Sequence, residues 1–319
     1  MYSYENYNKV REAIDARRQN SRALSEERSE EMRAKSPEIA RLDEELRGTG
    51  LLIFKTACRG EDIEPIRRRN RELVERRRAI IAEMGYPQDY TDVKYVCEKC
   101  MDTGFIDTRM CSCFKELLVT ENIKSSGMGR LIEEQSFENF KLEHYAADAD
   151  AYAKMKANLA IAKAYADGFG NRYKGRNLLL IGKTGTGKTH VSTSIAKVVI
   201  SKGYDVIYES AQNIISDFES DKFRGGYGAS EPKGDKYLEC DLLIVDDLGA
   251  EFVNQFTVAC LYNLFNTRRN RGLSTIVSTN LTAEEISSRY DDRICSRILG
   301  SDYSVLFFAG KDYRLFGRR

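Results

Sequence analysis

The stretch that most limits what this chain can fold into is "NLLLIGKTGTGKT", residues 177–189. An apolar run of strand length leads directly into the pattern G-x-x-x-x-G-K-[ST], from Gly182 to Thr189, and a helical pattern follows. Each residue type there has a physical task. Glycines let the backbone curl around phosphate oxygens with successive N–H groups turned inward. Lys188 brings a mobile positive charge to the outer phosphates, and the Thr189 hydroxyl can ligate Mg²⁺. The helix start adds a field that favours anions. Gly182, Lys183, Thr184, Gly185, Thr186, Gly187, Lys188 and Thr189, with His190 next to them, are therefore the nucleotide-binding candidates.

A second apolar run, "LLIVDDLG" (242–249), supplies the complementary half. It delivers Asp246 to a strand end, where a carboxylate can hold the Mg²⁺ water shell. Asp247 beside it can orient or deprotonate an attacking water. "STN" ends the following strand and places Asn280 to touch a γ-phosphate or the water; an ordinary strand-ending Asn is the alternative. In "RYDDRICSRILG" (289–300), Arg289, Arg293 and Arg297 are spaced by four and read as one face of a single helix. Such a face suits a neighbour's γ-phosphate or acidic side chains, and a salt-bridged surface explains the same pattern. Apolar runs at 177–182, 204–210, 241–247, 274–280 and 303–310 alternate with helical stretches. That alternation predicts an α/β domain with a five-stranded parallel sheet covered on both faces.

At 319 residues the chain exceeds one average domain, and the first 85 or so differ in texture. They are rich in Arg, Glu, Lys and Ala. Ile39, Leu42 and Leu46 fall at helical spacing, and Ile66, Leu73 and Ile80 recur every seven residues, with Met84 on the same side. "RGTG" (47–50) and the 60–65 stretch are expected to break the helices, giving a hairpin or short coiled coil that ends near "MGYPQDY". The arginine run "IRRRNRELVERRR" (66–78) is interleaved with Glu72 and Glu75, and Glu64 precedes it. It reads as a solvated, salt-bridged face in preference to a nucleic-acid patch, and the net charge of +1 favours neither. No run approaches the roughly 18 apolar residues of a membrane helix, and the N-terminus does not resemble a signal peptide, so a cytoplasmic protein is expected.

In a reducing compartment, clustered cysteines point to metal or redox chemistry. Four of the eight lie in "CEKCMDTGFIDTRMCSC" (97–113). Cys97, Cys100, Cys111 and Cys113 follow C-x2-C-x10-C-x-C, a spacing compatible with one structural tetrahedral Zn²⁺. The tight C-x-C half leaves an iron–sulfur cluster, a redox pair or free thiols open. Cys58, Cys240, Cys260 and Cys295 are dispersed and read as core residues; His144 and His190 have no metal-ligand spacing.

Taken in order, "SFENF", "GKTGTGKT", "LLIVDDLGAE", "STNL", "DDRICSRI" and "KDYR" make the C-terminal two thirds resemble AAA+ ATPases of the DnaC/DnaI helicase-loader and IstB-type transposition-helper group. The resemblance implies an AAA+ P-loop domain at 136–319, with ATP and Mg²⁺ as cofactors. It makes Phe137 and Phe140 adenine-packing candidates, Asp246 the Mg²⁺ carboxylate and Asn280 the γ-phosphate sensor. Arg297 becomes the arginine finger acting in trans, with Arg293 as alternate, and Arg314 a second sensor acting within the same subunit. A finger in trans implies self-association into a ring or spiral. Many AAA+ proteins carry Glu where Asp247 stands here, which implies slow turnover; few residues follow Arg314, and no full C-terminal lid is expected. Single-stranded DNA binding is usual in the group. Lys222, Phe223, Arg224, Asn254 and Phe256 are the candidates for it, against a plain surface loop.

A zinc module after a helical hairpin is similar to the adaptor of DnaI-type loaders. The expected division is a helical partner-binding region at 1–92, a four-cysteine zinc module at 93–118 and a linker at 119–135, followed by the ATPase. The expected function is an ATP-dependent loader that binds the replicative DNA helicase and places it on single-stranded DNA. A helper of a DNA transposase and a small-molecule P-loop kinase are the alternatives; the arginine helix and the missing acceptor-site motif argue against the kinase.

Overall fold

The computed structural model describes residues 3–171, 173, 175–223, 232–310 and 312. Two compact units are present: Arg11–Phe114, and Met1–Val10 together with Lys115–Arg319.

The helical unit contains most of α1 (Tyr4–Lys35), then α2 (Pro37–Cys58) and α3 (Glu64–Glu83). The turn between α1 and α2 follows from Ser36-Pro37. The Ser36 hydroxyl accepts the Ile39 N–H, and proline takes the first helical position, where no N–H is needed. Met32, Ile39, Leu42, Leu73, Ile80 and Ile81 close a small core, flanked by Leu46, Met84, Tyr86 and Tyr90. The expected break at "RGTG" does not occur: residues 47–50 lie inside α2. Thr49 explains this, because its hydroxyl donates to the Leu46 carbonyl and accepts from Asn70 of α3, so a tertiary contact holds the turn against glycine's entropy. The break at 60–65 is present, with Gly60 in the left-handed region. The arginine run is ion-paired, Arg69 to Glu45, Arg76 to Glu38, Arg77 to Asp43 and Arg78 to Asp92. After α3 come two short paired strands, β1 (Phe105–Ile106) and β2 (Arg109–Met110).

The larger unit continues through α4 (Ser112–Ser125), α5 (Leu131–Glu134), a 3-10 turn (Leu142–Tyr145) and α6 (Ala149–Asp167). The alternating part is then β3 (Asn177–Gly182), α7 (Lys188–Ser201), β4 (Val206–Ser210), α8 (Ala211–Phe223), α9 (Asp235–Glu239) and β5 (Leu242–Leu248). It ends with α10 (Gln255–Asn270), β6 (Ser274–Thr279), α11 (Ala283–Arg289), α12 (Asp292–Ile298) and β7 (Tyr303–Phe308). Among the described residues the five long strands form one parallel sheet in the order β4-β5-β6-β3-β7, as the apolar runs predict.

Alternation along the strands feeds two cores. Leu178, Leu180, Leu242 and Ile244 face Met155 and Leu159 of α6 and Ile195 of α7. Leu179, Ile181, Leu243 and Val245 face Ile214 of α8, Leu261 and Leu264 of α10 and Ile294 of α12. Met128 and Ile132, within the stretch expected to be a connector, are buried in the first core. At the amino ends of β5 and β6 sits the fully buried Arg268, donating to the carbonyls of Tyr237, Cys240 and Ser274 and to the Thr275 hydroxyl. The chain leaves β3 toward β4 and leaves β6 toward β7, so the strand order reverses between β3 and β6. A crevice at the carboxyl ends of such a sheet is where ligands bind.

Candidate nucleotide site and cysteine cluster

The loop between β3 and α7 opens into a cleft of about 820 Å³, lined also by the ends of β5 and β6. Gly185 and Gly187 are left-handed, with φ of 75° and 92°. Gly187 has a second constraint: a Cβ there would lie 2.8 Å from the Tyr145 hydroxyl and 3.1 Å from the Phe140 ring. Tyr145 in turn donates to the Thr186 carbonyl at 2.9 Å. The buried Lys188 ammonium folds onto the loop, 2.6 Å from the Gly182 carbonyl and 3.0 Å from that of Lys183. Inward-curving backbone and a lysine within reach fit an anion of the triphosphate class.

Asp246 ends the unbroken buried run of β5 and is 8% exposed. Ser278 of β6 donates to its Oδ1, Tyr208 of β4 donates to its Oδ2, and the Thr189 Oγ1 lies 3.5 Å from Oδ2. Burial, reinforced by the carboxylate beside it, pushes the Tyr208 phenol far above its ordinary pKa, so it is a hydrogen-bond donor at any physiological pH. A carboxylate and a hydroxyl converging beside a phosphate loop are the hard oxygen donors Mg²⁺ selects. The register between β5 and β6 then slips, after Val245 opposite Val277 and before Leu248 opposite Thr279. Within that bulge Asp247 takes φ 52° and turns to solvent at the cleft, its N–H on the Ser278 hydroxyl at 3.1 Å. Asn280 follows β6 and lines the same cleft.

Phe140 lines the cleft, stacked on Tyr145 at 5.9 Å and edge-on to His190 at 5.1 Å. His190 Nε2 lies 2.9 Å from the Ser136 carbonyl and 3.0 Å from Asn139 Oδ1, and burial lowers its pKa. Phe137 is placed elsewhere: it is buried in the first core, with the Lys163 ammonium 5.8 Å from its ring centroid, and does not line the cleft.

The three arginines do not share one helix. Arg289 ends α11, Tyr290 is extended, and Asp291 caps α12 by accepting the Ile294 N–H. Aspartate competes for the backbone in this way, which is why two helices form instead of one. Arg293 is exposed. Arg297 lies over the Tyr262 ring at 4.2 Å and donates to the Tyr262 hydroxyl and to Asn266 Oδ1. Neither lines the cleft. Glu251, 1% exposed, joins the two regions: its carboxylate accepts the Gly249 N–H and the Tyr290 hydroxyl, and its carbonyl accepts Arg289. Of the DNA-contact candidates, Lys222 lies 4.9 Å over the Phe256 ring, and Asn254 caps α10 by accepting the Thr257 N–H. Arg224, Arg314 and the side chain of Phe223 lie outside the described residues.

Tyr208 and Tyr145 had no motif to mark them, while Ser278 and Glu251 stand within "STNL" and "LLIVDDLGAE" without having been singled out. Their sole signal is a polar group at the end of an apolar strand or beside a glycine turn.

In the helical unit, Cys97, Cys100, Cys111 and Cys113 bring their sulfurs within 4.8 Å of one another. The β1–β2 pair closes the ten-residue gap, and the Cys97–Cys111 and Cys100–Cys113 sulfurs are 3.8 and 3.5 Å apart. Zn–S bonds of about 2.3 Å in a tetrahedron require sulfurs about 3.8 Å apart, so the four fit zinc. Asp102, fully buried, accepts the N–H groups of Val96 and Cys97 and pairs with Arg17 at 2.6 Å. Burial raises the Cys100 pKa, but the Gly104 N–H and the neighbouring sulfurs outweigh it and lower it overall, while burial and the same sulfurs raise that of Cys113. Cys240, Cys260 and Cys295 are buried as expected; Cys58 is not, and is exposed at the end of α2.

A family model described as IstB-like ATP binding protein matches residues 117–301. Among curated proteins, the replicative helicase loader DnaC of Escherichia coli (strain K12) is 26% identical over 57% of this chain and 70% of its own length. The phage-like element PBSX protein XkdC of Bacillus subtilis (strain 168) is 27% identical over 76% and 93%. Of solved structures, the DnaC helicase loader aligns at 21% identity over 49% of this chain and 90% of its own, with TM-score 0.44. DnaI aligns at 19% over 58% and 94%, with TM-score 0.45. The family match and the DnaC relatives bear out the motif resemblance.

Proposed function

This chain belongs to the family of IstB-like ATP binding proteins, and on that premise we propose that it is an ATP-dependent loader of a replicative DNA helicase onto single-stranded DNA. The observation that carries the reading is a cleft lined by the phosphate loop, Asp246, Asp247 and Asn280 in the same chain as a four-sulfur cluster that lies outside the family-matched span. Residues 1–92 grip the helicase, 93–118 form the zinc module that shapes the grip, and 136–319 are the ATPase, with 119–135, whose Met128 and Ile132 are buried in the first core, packed onto it.

At the cleft, Lys188 leaves the loop carbonyls for the outer phosphates, whose oxygens accept the loop N–H groups. Thr189 and Asp246 hold Mg²⁺, which when bound offsets charge on the transferring phosphoryl group. Asp247 polarises the attacking water, and Asn280 contacts the γ-phosphate or that water. Arg297 of an adjoining copy, with Arg293 as alternate, completes the site in trans, and Arg314 contacts phosphate within the subunit. ATP binding thus favours self-assembly and DNA contact through Lys222, Phe223, Arg224, Asn254 and Phe256; slow hydrolysis to ADP and phosphate releases both. The reaction takes place in the cytoplasm.

The family description also favours a second reading, an ATPase helper of a DNA transposase. Mixing the purified full chain with the replicative helicase of the same genome separates them. Size-exclusion with light scattering is read with ATP, with ADP and after zinc chelation. A stable complex that chelation dissolves is expected. No complex in any nucleotide state, with binding to the transposase instead, would overturn the loader reading.

A further inference from the structure

Tyr208 has two sets of attachments, one at each end. Its phenol donates to Asp246 Oδ2, the carboxylate oxygen that faces the Thr189 hydroxyl. Its backbone lies on β4, which stands at one end of the sheet order, and its N–H donates at 2.8 Å to the carbonyl of Ser126. Gly127 presses on the same residue: with φ 80°, a Cβ there would lie 2.5 Å from the Tyr208 carbonyl oxygen.

The segment held this way is built of buried polar groups. Ser126 is fully buried and donates to the Ile123 carbonyl. Asn122, 1% exposed, accepts from Asn6 at 2.7 Å and donates to the Tyr204 carbonyl at 3.4 Å. Asn6, 2% exposed, also donates to the Ser125 hydroxyl at 2.7 Å. The first turn of α1, the last turn of α4 and strand β4 are therefore one hydrogen-bonded seam, and Tyr208 joins it to the Asp246 carboxylate.

We propose that Tyr208 is a positioning residue for the Mg²⁺-binding carboxylate and that through it metal occupancy of the cleft is felt at residues 122–127. The proposal rests on the ATP-site reading above. Its physical basis is the two-sided hold on Asp246. The terminal torsion of an aspartate is broad, and donors on both oxygens, Ser278 on Oδ1 and Tyr208 on Oδ2, fix the carboxylate plane. Mg²⁺ demands near-ideal octahedral geometry, so it is sensitive to that plane. The Thr189 hydroxyl and the Tyr208 phenol both meet Asp246 at Oδ2, so the residues that would hold Mg²⁺ and the phenol share one carboxylate oxygen. Any adjustment of the phenol is passed to a backbone whose N–H and C=O both touch the 126–127 turn.

Tyr208→Phe keeps the ring against the core and removes the donor. Binding of a fluorescent ADP is titrated in Mg²⁺ and in EDTA, and hydrogen exchange of peptides covering 120–130 is followed with and without Mg²⁺ and nucleotide. The ratio of EDTA to Mg²⁺ dissociation constants is expected to fall about tenfold in the variant, as for loss of a hydrogen bond to a charged group. The EDTA value itself stays within about twofold of the parent. The exchange change at 120–130 seen on adding Mg²⁺·ADP to the parent chain is expected to vanish in Tyr208→Phe. Asn6→Ala, which loosens the seam from outside the cleft, is expected to raise exchange at 120–130 and leave EDTA binding unchanged. An equal Mg²⁺ ratio in parent and Tyr208→Phe overturns this proposal alone. No nucleotide binding by the parent chain overturns the ATP-site reading with it.

Discussion

Replacing Tyr290 by Phe tests the buried joint between the second acidic motif and the arginine helices. Tyr290 is 4% exposed and packs in the second core, so Phe keeps the ring contacts and opens no cavity. What is lost is the donor to Glu251, a carboxylate 1% exposed whose other side-chain partner is the Gly249 N–H at 2.8 Å. A hydrogen bond to a charged group is worth about 1.5–3 kcal/mol. For a unit of roughly 200 residues each kcal/mol moves Tm by about 2–4 °C, so a drop of about 3–12 °C is expected near neutral pH. The pH dependence is specific. Burial, and then the Glu251 carboxylate, raise the Tyr290 pKa above its ordinary 10.0 in the folded chain. Its stabilisation is therefore complete below pH 10, where the unfolded phenol is still protonated, and is lost as pH rises through the folded value. Above pH 10 the gap between parent and variant closes by up to about 1.4 kcal/mol per pH unit. The remaining tyrosines are common to both proteins and cancel in the difference. Urea unfolding of both chains from pH 7 to pH 11 measures it. A gap under about 0.5 kcal/mol at pH 7.5, or one that stays constant to pH 11, refutes the reasoning.

Lys188→Ala leaves the Gly182 and Lys183 carbonyls without their ammonium and the phosphates without their nearest cation. Nucleotide affinity by fluorescence titration is expected to fall about 100-fold or more, and unchanged affinity would remove Lys188 from the site. Arg297→Ala gives up the stack on Tyr262 and the bonds to Asn266. Nucleotide affinity of the isolated chain is expected to stay within about twofold while assembled hydrolysis falls about 10³-fold; a retained rate in a phosphate-release assay would refute the trans role.

The parts of this molecule that can be read from sequence are those in which neighbours along the chain do the physics. The apolar run and the glycines of 177–189 mark a strand, a turn and a helix start by their order along the chain, although the strand's partners β6 and β7 are distant in sequence. The Cys97–Cys113 spacing was legible for the same reason, since a two-strand hairpin closes it locally. Tyr208 was not legible, because its meeting with Asp246 depends on the β4–β5 register, in which Ser210 stands opposite Asp246. Phe137 and Phe140 are three residues apart and chemically identical; both pack on the first core, Phe137 buried within it and Phe140 at its edge, where it also lines the cleft. The arginine face failed at Asp291, where a cap competed with helical periodicity and prevailed. "RGTG" failed in the opposite direction, with a distant Asn70 overriding a local breaker.

Arg268 gives the sheet a mechanical asymmetry. Its guanidinium clamps the amino ends of β5 and β6 through three carbonyls and a hydroxyl. Asp246, Asp247 and Asn280 stand at or beyond the opposite ends of those strands. Each strand is thus anchored by a buried charge at one end and carries cleft residues at the other. The clamp and the polar groups of the cleft therefore stand a full strand length apart, joined by two buried strands. Glu251 lies in the loop beyond β5 and ties it to Arg289 at the end of α11 and to Tyr290, so the tip of β5 and the two arginine helices are one hydrogen-bonded unit.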